Sequence, residues 1–210
     1  MKRVKVSNNV IRRLPRYLRK LDELTDAGVS RISSGELGRQ LGLTPSQIRQ
    51  DFSCFGEFGQ QGYGYKVTAL RAEIASILGM DRGYSAILIG VGNLGQALLC
   101  NFSFKAWGFD LKAAFDVKPQ LIGTDYEGVK IHDMAELPQY LADNKIDAAV
   151  LCVPKAHAIA TTELLTSHGI NAIWNFTNIE LTSPESSTIV ENIHLSLIHI
   201  SEPTRLQLIS

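Results

Sequence analysis

Residues Gly90-Val91-Gly92-Asn93-Leu94-Gly95 follow the apolar run Ser85 to Ile89 with no gap, and a helical stretch from Gln96 to about Phe104 comes next. Gly108 ends that stretch, and a second apolar run, Leu111 to Phe115, leads into Asp116. This order constrains the chain more than any other feature. A buried strand, a GxGxxG turn, a helix and a second strand are the opening unit of a dinucleotide-binding fold. Gly90 makes the turn, Gly92 lets the backbone approach a pyrophosphate, and Gly95 lets helix and strand pack closely. Val91, Asn93 and Leu94 complete the loop, and the amides at the helix start favour phosphate. Asp116 lies 21 positions past the last glycine. There a carboxylate accepts from the adenosine ribose 2′-hydroxyl and repels a 2′-phosphate, which favours NAD+/NADH over NADP. Lys118, a nearby cation, weakens that preference. A Rossmann-like domain without nucleotide is the alternative.

The alternation continues. Strands are expected at Val129 to Ile131, Ala148 to Val153 and Ala172 to Asn175, with helices at Met134 to Asn144 and Ala156 to His168 between them. Alternating strands and helices imply an α/β, doubly wound Rossmann domain with a parallel sheet. Ligands lie at the carboxyl ends of such strands, which places Val153, Pro154, Asn175 and Phe176 beside the cofactor, towards its nicotinamide.

The chain carries 21 basic and 21 acidic residues, but they are unevenly divided. Residues 1–82 hold 14 Lys+Arg against 8 Asp+Glu, a net +6; residues 83–210 hold 7 against 13, a net −6. The first 20 residues have 8 basic side chains and no acidic one. Such polarity suggests a nucleic-acid footprint at the N-terminal end, with a solvated basic helix as the plainer reading. The apolar runs are too short for a membrane span of roughly 20 residues, and no secretory h-region follows the basic N-terminus. Cys54, Cys100 and Cys152 have no CxxC spacing, so they read as thiols in a reducing compartment, without metal or disulfide. A cytoplasmic protein is expected.

In the N-terminal half, Val10, Ile11, Leu14, Leu18, Leu21 and Leu24 recur at helical spacing among Arg12, Arg13, Arg16 and Arg19. Pro15 predicts a helix start or bend, and Gly28 a stop. A short helix from Ser34 to Leu41 follows, capped by Ser33 or Ser34. Gly42 then supplies a turn before Thr44-Pro45-Ser46-Gln47, which reads as a capping box opening a helix to Phe52 or Ser53. Two short helices about a glycine turn are a helix-turn-helix. Ile48 and Phe52 face its core, leaving Ser46, Gln47, Arg49 and Gln50 for DNA base edges. In the plainer alternative Gln47 only caps and Arg49 only pairs with a carboxylate. Four glycines and several aromatics between Phe55 and Tyr65 read as a hairpin wing, where Gln60, Gln61 and Tyr63 meet phosphates or the minor groove. A plain connecting hairpin competes with that reading. Arg12 and Arg13 join the expected DNA surface. Val67 to Gly79 makes a further helix, and Asp81-Arg82-Gly83 a hinge.

These segments resemble the Rex family of bacterial redox-sensing repressors. The likeness covers Val10 to about Ser196 and rests on Val10-Ile-Arg-Arg-Leu-Pro-Arg-Tyr, Gln47-Ile-Arg-Gln-Asp-Phe, Phe58-Gly-Gln-Gln-Gly-Tyr-Gly-Tyr, Gly90-Val-Gly-Asn-Leu-Gly, Phe115-Asp-Val and Val190-Glu-Asn-Ile-His-Leu. The resemblance implies a homodimer that binds a palindromic operator when free or NAD+-bound, is released by NADH, and catalyses nothing. It also implies an interdomain contact near Arg16 and Tyr17 that senses the closed state. The family motif Asn-Phe-Ala-Pro is here Asn175-Phe176-Thr177-Asn178, which changes the expected nicotinamide pocket.

The expected domains are therefore a winged helix-turn-helix over 1–82, a Rossmann domain over 83–196, and an atypical tail over 197–210. That tail stands where the family has a C-terminal helix crossing between subunits. It lacks amphipathic period, contains Pro203, and looks like translated linker or adapter sequence; losing the crossing helix predicts a weaker dimer. Rival readings are an NAD-dependent dehydrogenase with an accessory domain, and a structural NAD-binding module whose basic domain binds protein. The first needs an acid or base at the nicotinamide. The five histidines are scattered, with His157 the best placed.

Overall fold

The computed structural model describes residues 7–56, 63–182 and 188–193. Gln60, Gln61 and the tail lie outside them. The chain divides into two compact units, 1–82 and 83–210.

In the first unit α1 (Asn8–Asp26) precedes β1 (Arg31–Ile32), α2 (Ser34–Leu41), α3 (Pro45–Ser53), β2 (Tyr65–Lys66) and α4 (Val67–Ile77). Leu14, Tyr17, Leu18 and Leu21 make one stripe of α1, and all are fully buried. They pack with Leu37, Ile48, Phe52, Leu70 and Ile74 from the other helices. Each such side chain contributes about 1.5–3 kcal/mol on burial, which makes this core the main reason the short helices persist. Of the expected start or bend at Pro15, the start is corrected: α1 begins at Asn8 and runs through the proline. Pro15 and Ile11 are both exposed, so water can serve the carbonyl that a proline leaves unpaired.

Ser33 caps α2, its hydroxyl accepting from the Glu36 amide at 3.0 Å, and Gly42 ends the helix at φ +68°. Thr44 Oγ1 accepts from the Gln47 amide at 3.2 Å, and Pro45 opens α3. Only half of the expected capping box forms, because the Gln47 side chain turns to Asp51 instead of returning to the cap. The expected hairpin tip, residues 57–62, lies outside the described residues, and only the end of the glycine-aromatic stretch is seen. Tyr65 and Lys66 pair antiparallel with Ile32 and Arg31, ahead of α2.

The second unit holds β3 (Tyr84–Ile89), α5 (Asn93–Asn101), β4 (Phe109–Asp116), β5 (Asp125–Tyr126), β6 (Val129–Asp133), α6 (Leu137–Asp143), β7 (Ala148–Leu151), α7 (Lys155–Ser167), β8 (Ala172–Asn175) and β9 (Ile189–Asn192). The helix expected to reach Phe104 stops at Asn101, and a 3-10 turn, Phe104–Trp107, follows. The sheet order is β5-β6-β4-β3-β7-β8-β9, parallel throughout except for the β5–β6 pair. The edge strands β5 and β9 are additions to the expected pattern, since each is short and has little apolar signal. The chain moves outwards from β3 to β4 and later from β7 to β8, so β3 and β7 flank the point where the order reverses. Crevices at such points receive nucleotides.

Candidate nucleotide and DNA sites

Val91, the second residue of the glycine loop, is fully buried and donates its amide to Asp116 Oδ2 at 2.6 Å. Asp116 Oδ1 accepts from the Lys118 amide at 2.8 Å. The carboxylate at the end of β4 therefore ties the loop to the neighbouring strand. Each oxygen has a second lone pair, so Asp116 can still meet a ribose hydroxyl while holding the loop.

The three glycines differ in what surrounds them. Gly90 sits at φ +92°, and a Cβ there would lie 2.8 Å from the Cys152 carbonyl carbon at the end of β7. A Cβ on Gly95 would fall 2.1 Å from the Gly90 oxygen. One on Gly92 would meet nothing within 4 Å. Gly90 and Gly95 are thus spent on close backbone packing. Gly92 faces open space at the N-terminus of α5, where no side chain caps the helix amides. Open space, uncapped amides and a helix dipole fit a pyrophosphate. Asn93 is exposed and Leu94 half-buried beside that space.

Pro154 precedes α7 and Val153 packs partly into the core, both just past β7. Lys118 is exposed, as is Val117 at 73%.

Asn175, expected beside the cofactor, is engaged within the protein. It is buried, and its Nδ2 donates to the Ile179 carbonyl and Asn192 Oδ1, each at 2.7 Å. Its Oδ1 accepts from the Thr177 amide and hydroxyl at 2.9 and 2.6 Å. Two donors and two acceptors exhaust the side chain. Asn175 fastens the loop after β8 to β9, and these four bonds occupy the hydrogen-bonding groups of its amide. The bond to Asn192 was not legible in the sequence, because Asn192 arrives on β9, itself an unexpected strand. Asn178 adopts φ +23°, which a proline ring forbids, so the departure from Asn-Phe-Ala-Pro changes the backbone here. Phe176 turns to an apolar hollow of about 280 Å³ lined also by Leu98, Phe102, Trp107, Trp174 and Ile193. His157 is exposed at the start of α7. Among the described residues no cluster of three or more His, Cys, Asp or Glu could hold a metal, and no helix is long and apolar enough to cross a membrane.

In the first unit Arg12, Ser46, Arg49 and Gln50 are exposed. Ser46 Oγ lies 3.2 Å from Thr44 Oγ1, and Arg49 Nη1 donates to Ser34 Oγ at 3.0 Å across the two helices. Tyr63 is 70% exposed, and its carbonyl accepts from Arg31.

Arg13, expected on the DNA surface, is engaged in an ion pair. Its Nε and Nη2 donate to Asp51 at 2.6 and 2.7 Å, and Asp51 is fully buried. Tyr17 Oη and Gln47 Nε2 donate to the same carboxylate at 2.6 and 2.8 Å. Tyr17 is fully buried and packs in the core of the first unit. Arg16 is exposed, and its guanidinium donates to the Leu41 carbonyl at 3.1 Å. Asp51 itself was missed, since one carboxylate in a polar helix does not announce burial. Burial works against its charge, but hydrogen bonds from Arg13, Tyr17 and Gln47 prevail and hold its carboxyl below the usual carboxylate range.

Residues 81–179 match the family model of the CoA binding domain, and residues 5–53 match one described as "Putative DNA-binding protein N-terminus". The chain is 48% identical over 195 residues to the redox-sensing transcriptional repressor Rex of Clostridium acetobutylicum, covering 93% of this chain and 91% of that one. It is 50% identical over 195 residues to the Rex of Thermoanaerobacter pseudethanolicus, covering 93% and 87%. Among solved structures, RSP in complex with β-NAD+ and operator DNA superposes with a TM-score of 0.85 at 49% identity, covering 93% and 91%. RSP in complex with β-NADH gives 0.84 at 46% identity, covering 94% and 93%.

Proposed function

The chain belongs to the Rex family of redox-sensing transcriptional repressors, and from that premise we propose how its two units do the work. It binds operator DNA through the first unit and NAD+ or NADH through the second, and it is a repressor, not a dehydrogenase. The relatives and the RSP complexes favour NAD over the ligand named in the CoA-binding family model.

The carrying observation is the contrast around Gly92. It alone of the three motif glycines leaves its side open, over uncapped helix amides. In this reading Gly90, Gly92 and Gly95, with the amides of Asn93 and Leu94, hold the pyrophosphate. Asp116 takes the adenosine ribose, and Lys118 borders it. Val153, Pro154 and Phe176 line the nicotinamide end. Reduction removes the positive charge of the nicotinamide ring, which is the chemical difference the protein must register. Arg12, Ser46, Gln47, Arg49 and Gln50 meet DNA, with Tyr63, Gln60 and Gln61 on the wing. Arg13 supports them from behind.

A palindromic operator and a homodimer complete the proposal, in the cytoplasm where such an operator is found. Two copies of α3 must lie one DNA turn apart, about 34–36 Å. The nucleotide can change operator affinity only by binding one arrangement of the dimer better than another. Linkage then requires operator DNA to weaken NADH binding by the same factor.

A fluorescence-anisotropy titration of a labelled palindromic operator tests this, at fixed salt, without nucleotide, with NAD+ and with NADH. Binding that is lost with NADH alone is expected. Binding indifferent to the nucleotide sinks the sensor.

A further inference from the structure

Gln47 has one amide with two faces of opposite character, and which one meets DNA depends on what the other is doing. Its nitrogen donates to Asp51 Oδ1 at 2.8 Å. That orientation is compulsory. An ionised carboxylate only accepts, so the Gln47 oxygen cannot take the nitrogen's place. The carboxylate is fully used as well, with Arg13 Nε and Tyr17 Oη on Oδ2 and Arg13 Nη2 and Gln47 Nε2 on Oδ1. The bidentate ion pair keeps it charged and immobile.

Gln47 Oε1 accepts no hydrogen bond from the described residues, and no buried side-chain nitrogen or oxygen among them lacks a partner. The oxygen is therefore open to solvent. It stands in the first turn of α3, where the side chains of a recognition helix meet base edges.

We infer that Asp51 is a positioning residue for sequence recognition: by holding the Gln47 nitrogen it presents the Gln47 oxygen outwards, so that Gln47 reads an exocyclic amine in the major groove. This rests on the repressor reading above. Adenine suits the arrangement best, because its N6 amine donates to Oε1 while N7 accepts the second amide hydrogen. Cytosine offers its N4 amine alone. Guanine presents two acceptors, O6 and N7, and a Gln47 with one donor already committed matches them poorly. A residue that never touches DNA thus sets a base preference, since rotating the amide by half a turn would cost the bond to the buried carboxylate.

The test measures anisotropy for the full chain with NAD+ on operators substituted at each position. The base pair read by Gln47 is the one where Gln47→Ala abolishes the preference. There the wild type is expected to favour adenine over guanine by about tenfold, within the range of one bidentate contact. Asp51→Ala frees the amide to turn either way, and the ratio is expected to fall to about twofold. Tyr17→Phe removes one bond from the cluster but leaves Asp51 and Gln47 paired, so affinity can drop while the ratio stays. Preference for guanine or thymine at that pair, a full adenine preference in Asp51→Ala, or no position altered by Gln47→Ala overturns the inference.

If Asp51→Ala does not fold, the DNA carries the test. Replacing the adenine with purine, which lacks the amine, is expected to cost the wild type about tenfold and Gln47→Ala nothing. Equal cost in both proteins overturns the inference. A wild type that binds no operator at all overturns the repressor reading and this inference with it, whereas operator binding with the wrong preference overturns this inference alone.

Discussion

The guanidinium of Arg13 meets the carboxylate of Asp51 edge to edge, with Nε and Nη2 at 2.6 and 2.7 Å from its two oxygens, although 38 positions separate the residues. The pair fastens α1 to α3. Asp51 is fully buried and the Arg13 side chain is 24% exposed, so the carboxylate depends on its partner more than the arginine does. Removing one member of a buried pair strands a charge, at a cost of about 3–5 kcal/mol. Arg13→Ala is expected to destabilise the first unit by that order in urea unfolding. Arg12→Ala, an exposed neighbour, should stay within about 0.5 kcal/mol of the wild type. Equal effects would remove the special standing of the pair.

The same cluster predicts a pH dependence at both ends of the scale. Asp51 ionises more readily folded than unfolded, so its contribution is present above the unfolded aspartate value of about 4 and lost as pH falls through the lower folded value. Tyr17 moves the other way. Burial, and then its hydrogen bond to Asp51, raises its hydroxyl. Its contribution is present below the unfolded tyrosine value of about 10 and is lost as pH climbs above it. Denaturant stability of the wild type and Tyr17→Phe, followed from pH 8 upwards, is expected to diverge below about pH 10 and converge above it. Parallel curves would exclude the tyrosine.

Alanine at two glycines of one motif separates binding from folding. In Gly92→Ala the new methyl meets no protein atom within 4 Å, so the fold is retained while the methyl occupies the space left for pyrophosphate. NADH affinity measured by calorimetry should fall at least about tenfold with little change in Tm. In Gly95→Ala the methyl would sit 2.1 Å from the Gly90 oxygen, forcing α5 from the sheet. Lower Tm and lost binding are both expected there, at about 1–3 kcal/mol or more of overpacking. NADH binding unchanged in Gly92→Ala would move the nucleotide elsewhere.

The cysteines are expected to differ in reactivity. Burial pushes the Cys152 thiol up to about 12, while Cys100 is exposed on α5. The thiolate is the reactive form. Peptide mapping after iodoacetamide at pH 8 is expected to find Cys100 alkylated and Cys152 untouched until the protein is unfolded. Labelling of both at equal rates would contradict the raised thiol of the partly buried Cys152.

Much of this architecture was legible in the chain. The glycine loop between two apolar runs declared its strand, turn and helix, because each glycine meets a demand set within a few residues. The recognition helix announced itself through Thr44 and Pro45, whose effects are equally local. The sequence also specified the division of charge and the alternation of the sheet, both of which need only composition and period.

Tertiary structure decided what depends on meeting a distant residue. Arg13 belongs by sequence to a basic, DNA-facing stripe, and only the approach of α3 turns it inwards to Asp51. Asn175 stands at a strand end where ligands bind, and only β9, arriving with Asn192, occupies its amide completely. Gln47 turns from the cap to the same buried carboxylate. A polar side chain carries several possible hydrogen bonds, and its sequence neighbours do not choose among them. The choice falls to whichever partner the fold brings within 3 Å while excluding the water that would otherwise compete.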